Sequence, residues 1–200
     1  MGRCGLHPWC NTSLAPLSRA DLVLAQMTSA EKVSMLGGIN FAGGAVSGPD
    51  SHTGTEMGVP RLGVPTVYYT DGPLGPRQGP STAMPAPLGL AATFSPAMAR
   101  LYATVVANEA KDKGNDVVFG PTVNLMRTPL GGRTYEAFGE DPFLASQIAV
   151  PWIEAAQAQG VLADIRHGQP DPDRGRPGEI PGNRAQRRLQ RGRARGLPLV

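Results

Sequence analysis

The sequence predicts an α/β protein built on parallel strands. Three short apolar runs rich in β-branched or aromatic residues alternate with two longer segments of helical periodicity, in the order strand, helix, strand, helix, strand. That βαβαβ order implies parallel pairing, and chirality makes the crossovers right-handed.

Residues 1–17 lack periodicity and carry Pro8 and Pro16, so they read as an irregular arm. Residues 18–36 read as helix in two pieces. Thr28 and Glu31 have capping-box spacing, and Gly37 stands as a C′ residue. Glycine-rich residues 37–58 read as loop. Residues 64–69, Val-Pro-Thr-Val-Tyr-Tyr, form the first strand, and the turn signal Thr70-Asp71-Gly72-Pro73 leaves a carboxylate at its C-terminal end.

Ser95 then supplies an N-cap and Pro96 an N1 proline. Met98, Leu101, Tyr102, Val105 and Val106 make the apolar stripe of a helix that Gly114 closes. Residues 116–120 form the second strand and lead into a loop over 127–141. Asp141-Pro142 opens the next helix by the same cap-then-proline logic, and it runs to about Gln159. Trp152 sits at core spacing on it. Residues 161–165 form the third strand.

The 200 residues hold 40% hydrophobic and 18% charged residues, which describes a soluble globular chain. No apolar run approaches a membrane span, and no apolar leader region follows Met1, so the chain is expected in the cytoplasm with no membrane partner. Cys4 and Cys10 read as incidental thiols, with no second Cys/His pair to complete a metal site. His7 and His52 read as surface histidines.

The net charge of +3 averages two unlike parts. Residues 164–200 hold nine arginines against four carboxylates. The chain totals 19 basic and 16 acidic residues, so the first 163 hold ten basic and twelve acidic. From 168 onward Pro170, Pro172, Pro177 and Pro181 interrupt any element, and the arginines recur without hydrophobic periodicity.

In a parallel βα architecture function gathers at the C-terminal ends of strands. Asp71 follows the first strand, Arg127 and Arg133 lie in the loop after the second, and Arg166 and His167 follow the third. Mixed acidic and basic groups suit a polyhydroxylated ligand, since each sugar hydroxyl both donates and accepts and charged partners strengthen both kinds of bond.

These residues carry a resemblance. Asp71-Gly-Pro-Leu-Gly, then Asn124…Arg127…Pro129…Gly132-Arg133…Glu136…Phe138…Glu140-Asp141-Pro142, then Gly160-Val-Leu-Ala…Arg166-His167, resemble the N-terminal (β/α)8 domain of glycoside hydrolase family 3. The resemblance covers residues 18–167 and implies a partial TIM-type barrel of about three βα units, flanked by the 1–17 arm and the 168–200 tail. It implies retaining hydrolysis of a β-glucoside or β-xyloside, by an aspartate nucleophile and a glutamate acid/base, with no cofactor or metal. By the same resemblance Asp71, Arg133 and His167 match substrate-binding positions, and Arg166 stands where the family has lysine.

Taken alone, Asp71 before Gly72-Pro73 equally suits an Asx turn, and the motif decides for ligand. Arg127 reads as a brace paired with Glu136 or Glu140, and Asp141 as a helix cap.

No Ser-Asp-Trp-like nucleophile motif occurs, so both catalytic carboxylates are expected to be missing and the 200-residue chain to be inactive. The Arg/Gly/Pro bias after 167 is what a shifted reading frame in GC-rich DNA would give. A non-catalytic sugar-binding fragment is the alternative. A nucleic-acid arm is a weaker one, because no aromatic residue after Trp152 offers a stacking platform.

Overall fold

The computed structural model describes residues 7–38, 52–127 and 131–166. Its centre is a four-stranded sheet in the order β1 (Gly54–Glu56), β2 (Val67–Asp71), β3 (Val117–Thr122), β4 (Leu162–Arg166). β2, β3 and β4 run parallel, and β1 pairs antiparallel with β2. The three expected strands are therefore present in the expected order. β1 corrects the loop reading of 37–58, where three residues between glycine-rich flanks gave no periodic signal.

Helix α1 (Pro16–Gln26) and helix α2 (Ser29–Ser34) match the two-piece expectation. The capping box forms as spaced: the Glu31 amide donates to Thr28 Oγ1 at 3.3 Å, and the Thr28 amide donates to Glu31 Oε2 at 2.8 Å. Glu31 also pairs with Arg61, whose hydrogen bonds are the main reason its carboxyl is lowered to about 2.

The arm reading of 1–17 needs correction over the described part. Pro8–Cys10 form a 3-10 helix, and α1 begins at Pro16. Trp9 is buried with Met27, Val59 and Leu62 and donates its indole N–H to Leu62 O at 3.0 Å. His7 stacks on Trp9, and Cys10 is disulfide-bonded rather than an incidental thiol.

The short helix α3 (Pro87–Ala91) precedes α4 (Pro96–Asp112), which starts where Ser95 accepts from the Met98 amide. Asp141 caps α5 (Pro142–Ala158) by accepting from the Phe143 amide at 2.8 Å, and Trp152 is core as expected. The buried stripe of α4 is displaced from the expected one. Ala99, Tyr102, Ala103, Val106, Ala107 and Ala110 face inward, while Met98 and Leu101 are 45% and 57% exposed. Alanine lets α4 and α5 approach closely, and that packing outweighs the area lost by leaving two larger side chains outside.

Both helices pack on the sheet face that carries Val118 and Ala163. The opposite face carries Tyr69, Phe119 and Arg166, with Tyr69 stacked on Phe119 and the Arg166 guanidinium 5.3 Å from the Phe119 centroid. On β4 both faces stay open: Leu162 is 60% and Ile165 53% exposed, and their side chains alternate. Among the described residues no helix is long and apolar enough to cross a membrane.

Candidate functional site

Parallel register puts the ends of β2, β3 and β4 side by side, with Asp71 opposite Phe119 and Thr122 opposite Arg166. The structure therefore brings together three sequence-predicted residues. Arg166 Nη1 donates to Asp71 Oδ1, and both side chains are more than four-fifths buried. Arg133, in the loop after β3, has its pKa raised chiefly by its hydrogen bonds to Glu136 and in smaller part by the charge of Asp71. His167 and residues 128–130 lie outside the described residues.

The loop is braced by a different arginine from the one expected. Arg133 forks onto Glu136, with Nε 3.0 Å from Oε1 and Nη2 2.5 Å from Oε2. Arg127 is exposed and makes no ion pair among the described residues, and Glu140 is exposed as well. The physical reason is local. A 3-10 turn over Thr134–Glu136 places Arg133 and Glu136 on the same side, and the fork matches a carboxylate in two bonds.

Glu136 is fully buried. Burial pushes its carboxyl up, but the hydrogen bonds and charge of Arg133, helped by Tyr135 and Arg77, outweigh that and hold it below the usual carboxylate range. Glu136 answers by raising Arg133.

Sequence reasoning missed Arg77, which lies 3.7 Å from Glu136 on its other side. Its position directly after the Asp71-Gly-Pro-Leu-Gly-Pro turn was the available signal. It also missed Thr122, whose buried hydroxyl at the end of β3 has no hydrogen-bond partner among the described residues. The result is an alternating row, Arg166, Asp71, Arg133, Glu136, Arg77, in which the buried Glu136 anchors Arg133 and Arg77 and leaves Asp71, Arg133 and Arg166 partly open. Among the described residues no group of His, Cys, Asp or Glu could hold a metal ion.

The loop after Asp71 is fixed from behind. The Tyr102 hydroxyl sits 2.6 Å from Pro73 O and 2.8 Å from Pro85 O, and burial pushes its pKa up. A Cβ added at Gly72 would lie 2.0 Å from Val118 Cγ1, whereas one at Gly132 would meet nothing within 4 Å. Gly72→Ala is therefore expected to cost about 1–3 kcal/mol by overpacking, and Gly132→Ala less than about 0.5 kcal/mol. Urea midpoints of the two variants check this, and equal midpoints would contradict the contact.

Three parallel strands with helices on one face and charged side chains at the strand ends have the arrangement of a segment of a (β/α)8 barrel. The chain belongs to glycosyl hydrolase family 3, whose N-terminal domain matches residues 40–189. It is 37% identical over 163 residues to beta-glucosidase BoGH3A of Bacteroides ovatus, covering 74% of this chain and 20% of that protein.

Among solved structures it is similar to beta-glucosidase 3B from Thermotoga neapolitana in complex with glucose. The two are 32% identical with a TM-score of 0.68, over 74% of this chain and 22% of that one. DesR, a beta-glucosidase from Streptomyces venezuelae in complex with D-glucose, is 39% identical with a TM-score of 0.67, over 75% and 19%. The chain thus spans about a fifth of the length of these relatives.

Proposed function

We propose that this chain forms the part of a retaining β-glucosidase that grips the terminal, nonreducing sugar, through Asp71, Arg133, Arg166 and His167. The observation that carries the reading is the row of alternating charge at the strand ends, with Asp71 and Arg166 paired where three parallel strands converge. Its partly exposed members, Asp71, Arg133 and Arg166, present an ionised acceptor and ionised donors to sugar hydroxyls, and hydrogen bonds to ionised groups are about twice as strong as neutral ones. The relatives that bind glucose support the same ligand class.

Bond cleavage in this reading belongs to carboxylates outside these 200 residues. The two groups of a retaining pair stand about 5–5.5 Å apart across the glycosidic bond, and here Asp71 and Glu136 are each engaged by arginine. The purified chain should therefore leave an aryl β-glucoside intact. Its residues 52–166, exchanged for the matching segment of the Thermotoga neapolitana enzyme, should give a chimera that hydrolyses it. Hydrolysis by the chain alone, or a folded but inert chimera, would overturn the reading.

A further inference from the structure

Asp71 is held by more than Arg166. Thr53, directly before β1, has its hydroxyl 3.4 Å from Asp71 Oδ2 and within 3.1 Å of the Asp71 amide. The Gln78 side-chain N–H donates to the same hydroxyl, and the Thr70 hydroxyl donates to Gln78 Oε1 at 2.8 Å. Thr70 is fully buried, and the Gln78 backbone carbonyl accepts from Lys113 Nζ at 2.6 Å.

A threonine hydroxyl has one proton and two lone pairs. The Asp71 backbone amide is an obligate donor, and with the Gln78 side-chain N–H turned toward Thr53 the two fill both lone pairs of Thr53 Oγ1. Its single proton is then left to point at Asp71 Oδ2. The Thr70 hydroxyl reaches both Gln78 Oε1, at 2.8 Å, and Asp71 O, at 3.2 Å, and so ties Gln78 to the strand end that carries Asp71. The Thr53 backbone is itself pinned, with its N–H donating to Tyr69 O at 2.8 Å.

We propose that Thr53 and Gln78 are positioning residues, a directed hydrogen-bond relay that fixes the rotation of the Asp71 carboxylate. With Oδ1 held by Arg166 and Oδ2 by Thr53, the carboxylate cannot swing, and its remaining acceptor positions are presented to a ligand in one orientation. A carboxylate carries about four acceptor positions, so this arrangement leaves two for sugar hydroxyls. The proposal rests on the reading of Asp71 as a sugar contact and adds the residues that aim it.

The test uses the full 200-residue chain and D-glucose, titrated by ligand-observed NMR. Thr53→Val removes the proton and both lone pairs at constant shape and should weaken glucose binding about tenfold, the loss of one charged hydrogen bond. Thr53→Ser should restore it, and Gln78→Met should weaken it without a matching fall in melting temperature. A crystal structure of the Thr53→Val chain should show the Asp71 carboxylate rotated about its last bond.

Unchanged glucose affinity in Thr53→Val, an equal loss in Thr53→Ser, or a carboxylate left in place would each overturn the relay. A wild-type chain that binds no glucose would instead count against the sugar-grip reading, and the rotation of Asp71 in the variant crystal would still decide the relay.

Discussion

Arg133→Met should destabilise the chain by about 3 kcal/mol at pH 7, the lower end of the cost of stranding a buried charge, because Arg77 remains 3.7 Å away. Glu136 has a side chain only 1% exposed, so removing its fork leaves a carboxylate that water cannot reach. The reverse change is milder. Glu136→Gln leaves Arg133 half-exposed to solvent and keeps one acceptor, so it should cost about 1–2 kcal/mol. Urea denaturation of the two variants gives the comparison, and a costlier Glu136→Gln would refute the asymmetry.

The pH dependence gives a second, independent reading of the same pair. In the wild type the Glu136 pKa is lowered below its unfolded value of about 4.3. Its contribution to stability is thus present above that value and is lost as pH falls through the lowered folded one. In Arg133→Met the main lowering cause is gone while burial, the largest influence on this carboxyl, persists. The folded pKa then lies above the unfolded value, and the sign reverses: the contribution is greatest at low pH and is lost as pH rises. The stability gap between wild type and Arg133→Met should therefore narrow from pH 7 to pH 4. A constant gap across that range would show that Glu136 is not the group responsible.

What the sequence could disclose follows from how local each cause is. Ser95, Thr28 and Asp141 cap their helices through hydrogen bonds spanning two or three residues, so spacing alone predicted them. The three parallel strands were legible because each lies in a short apolar run set off from the helical segments. β1 was hidden because its pairing partner Tyr69 lies fifteen residues beyond Gly54 in a separate run. The stripe of α4 was misplaced because alanine carries little weight in a hydrophobic pattern, yet it is the residue that lets α5 come close.

In the site, Asp71, Arg133 and Arg166 were found because turns and strand ends mark them. The brace was assigned to Arg127 because charge spacing alone does not distinguish two arginines six apart. The 3-10 turn at Thr134–Glu136 does, since it aims Arg133 at Glu136. His52 shows the same limit. It read as a surface histidine, but residues distant in sequence supply its partners: Nδ1 lies 2.8 Å from Asn115 Oδ1, and the ring stacks on Tyr68 at 4.1 Å.

Asp71→Ala in the chimera with the Thermotoga neapolitana enzyme should lower kcat/KM for an aryl β-glucoside by about a thousandfold. Two hydrogen bonds to an ionised acceptor, at about 1.5–3 kcal/mol each, supply that range. The loss should fall on kcat as well as KM, since contacts away from the reacting centre help orient the bond to be broken. Asp71→Asn is the sharper variant. It preserves shape but replaces an acceptor oxygen by an NH2 donor, which faces the Arg166 guanidinium or the Thr53 proton with the wrong polarity. Asp71→Asn should thus lose nearly as much activity as Asp71→Ala, and a change of aryl aglycone should leave the ratio of the two unchanged. If Asp71→Asn kept most of the activity, the carboxylate charge would be irrelevant to sugar binding. Asp71 would then be what its turn alone suggested, a residue that shapes the chain after β2.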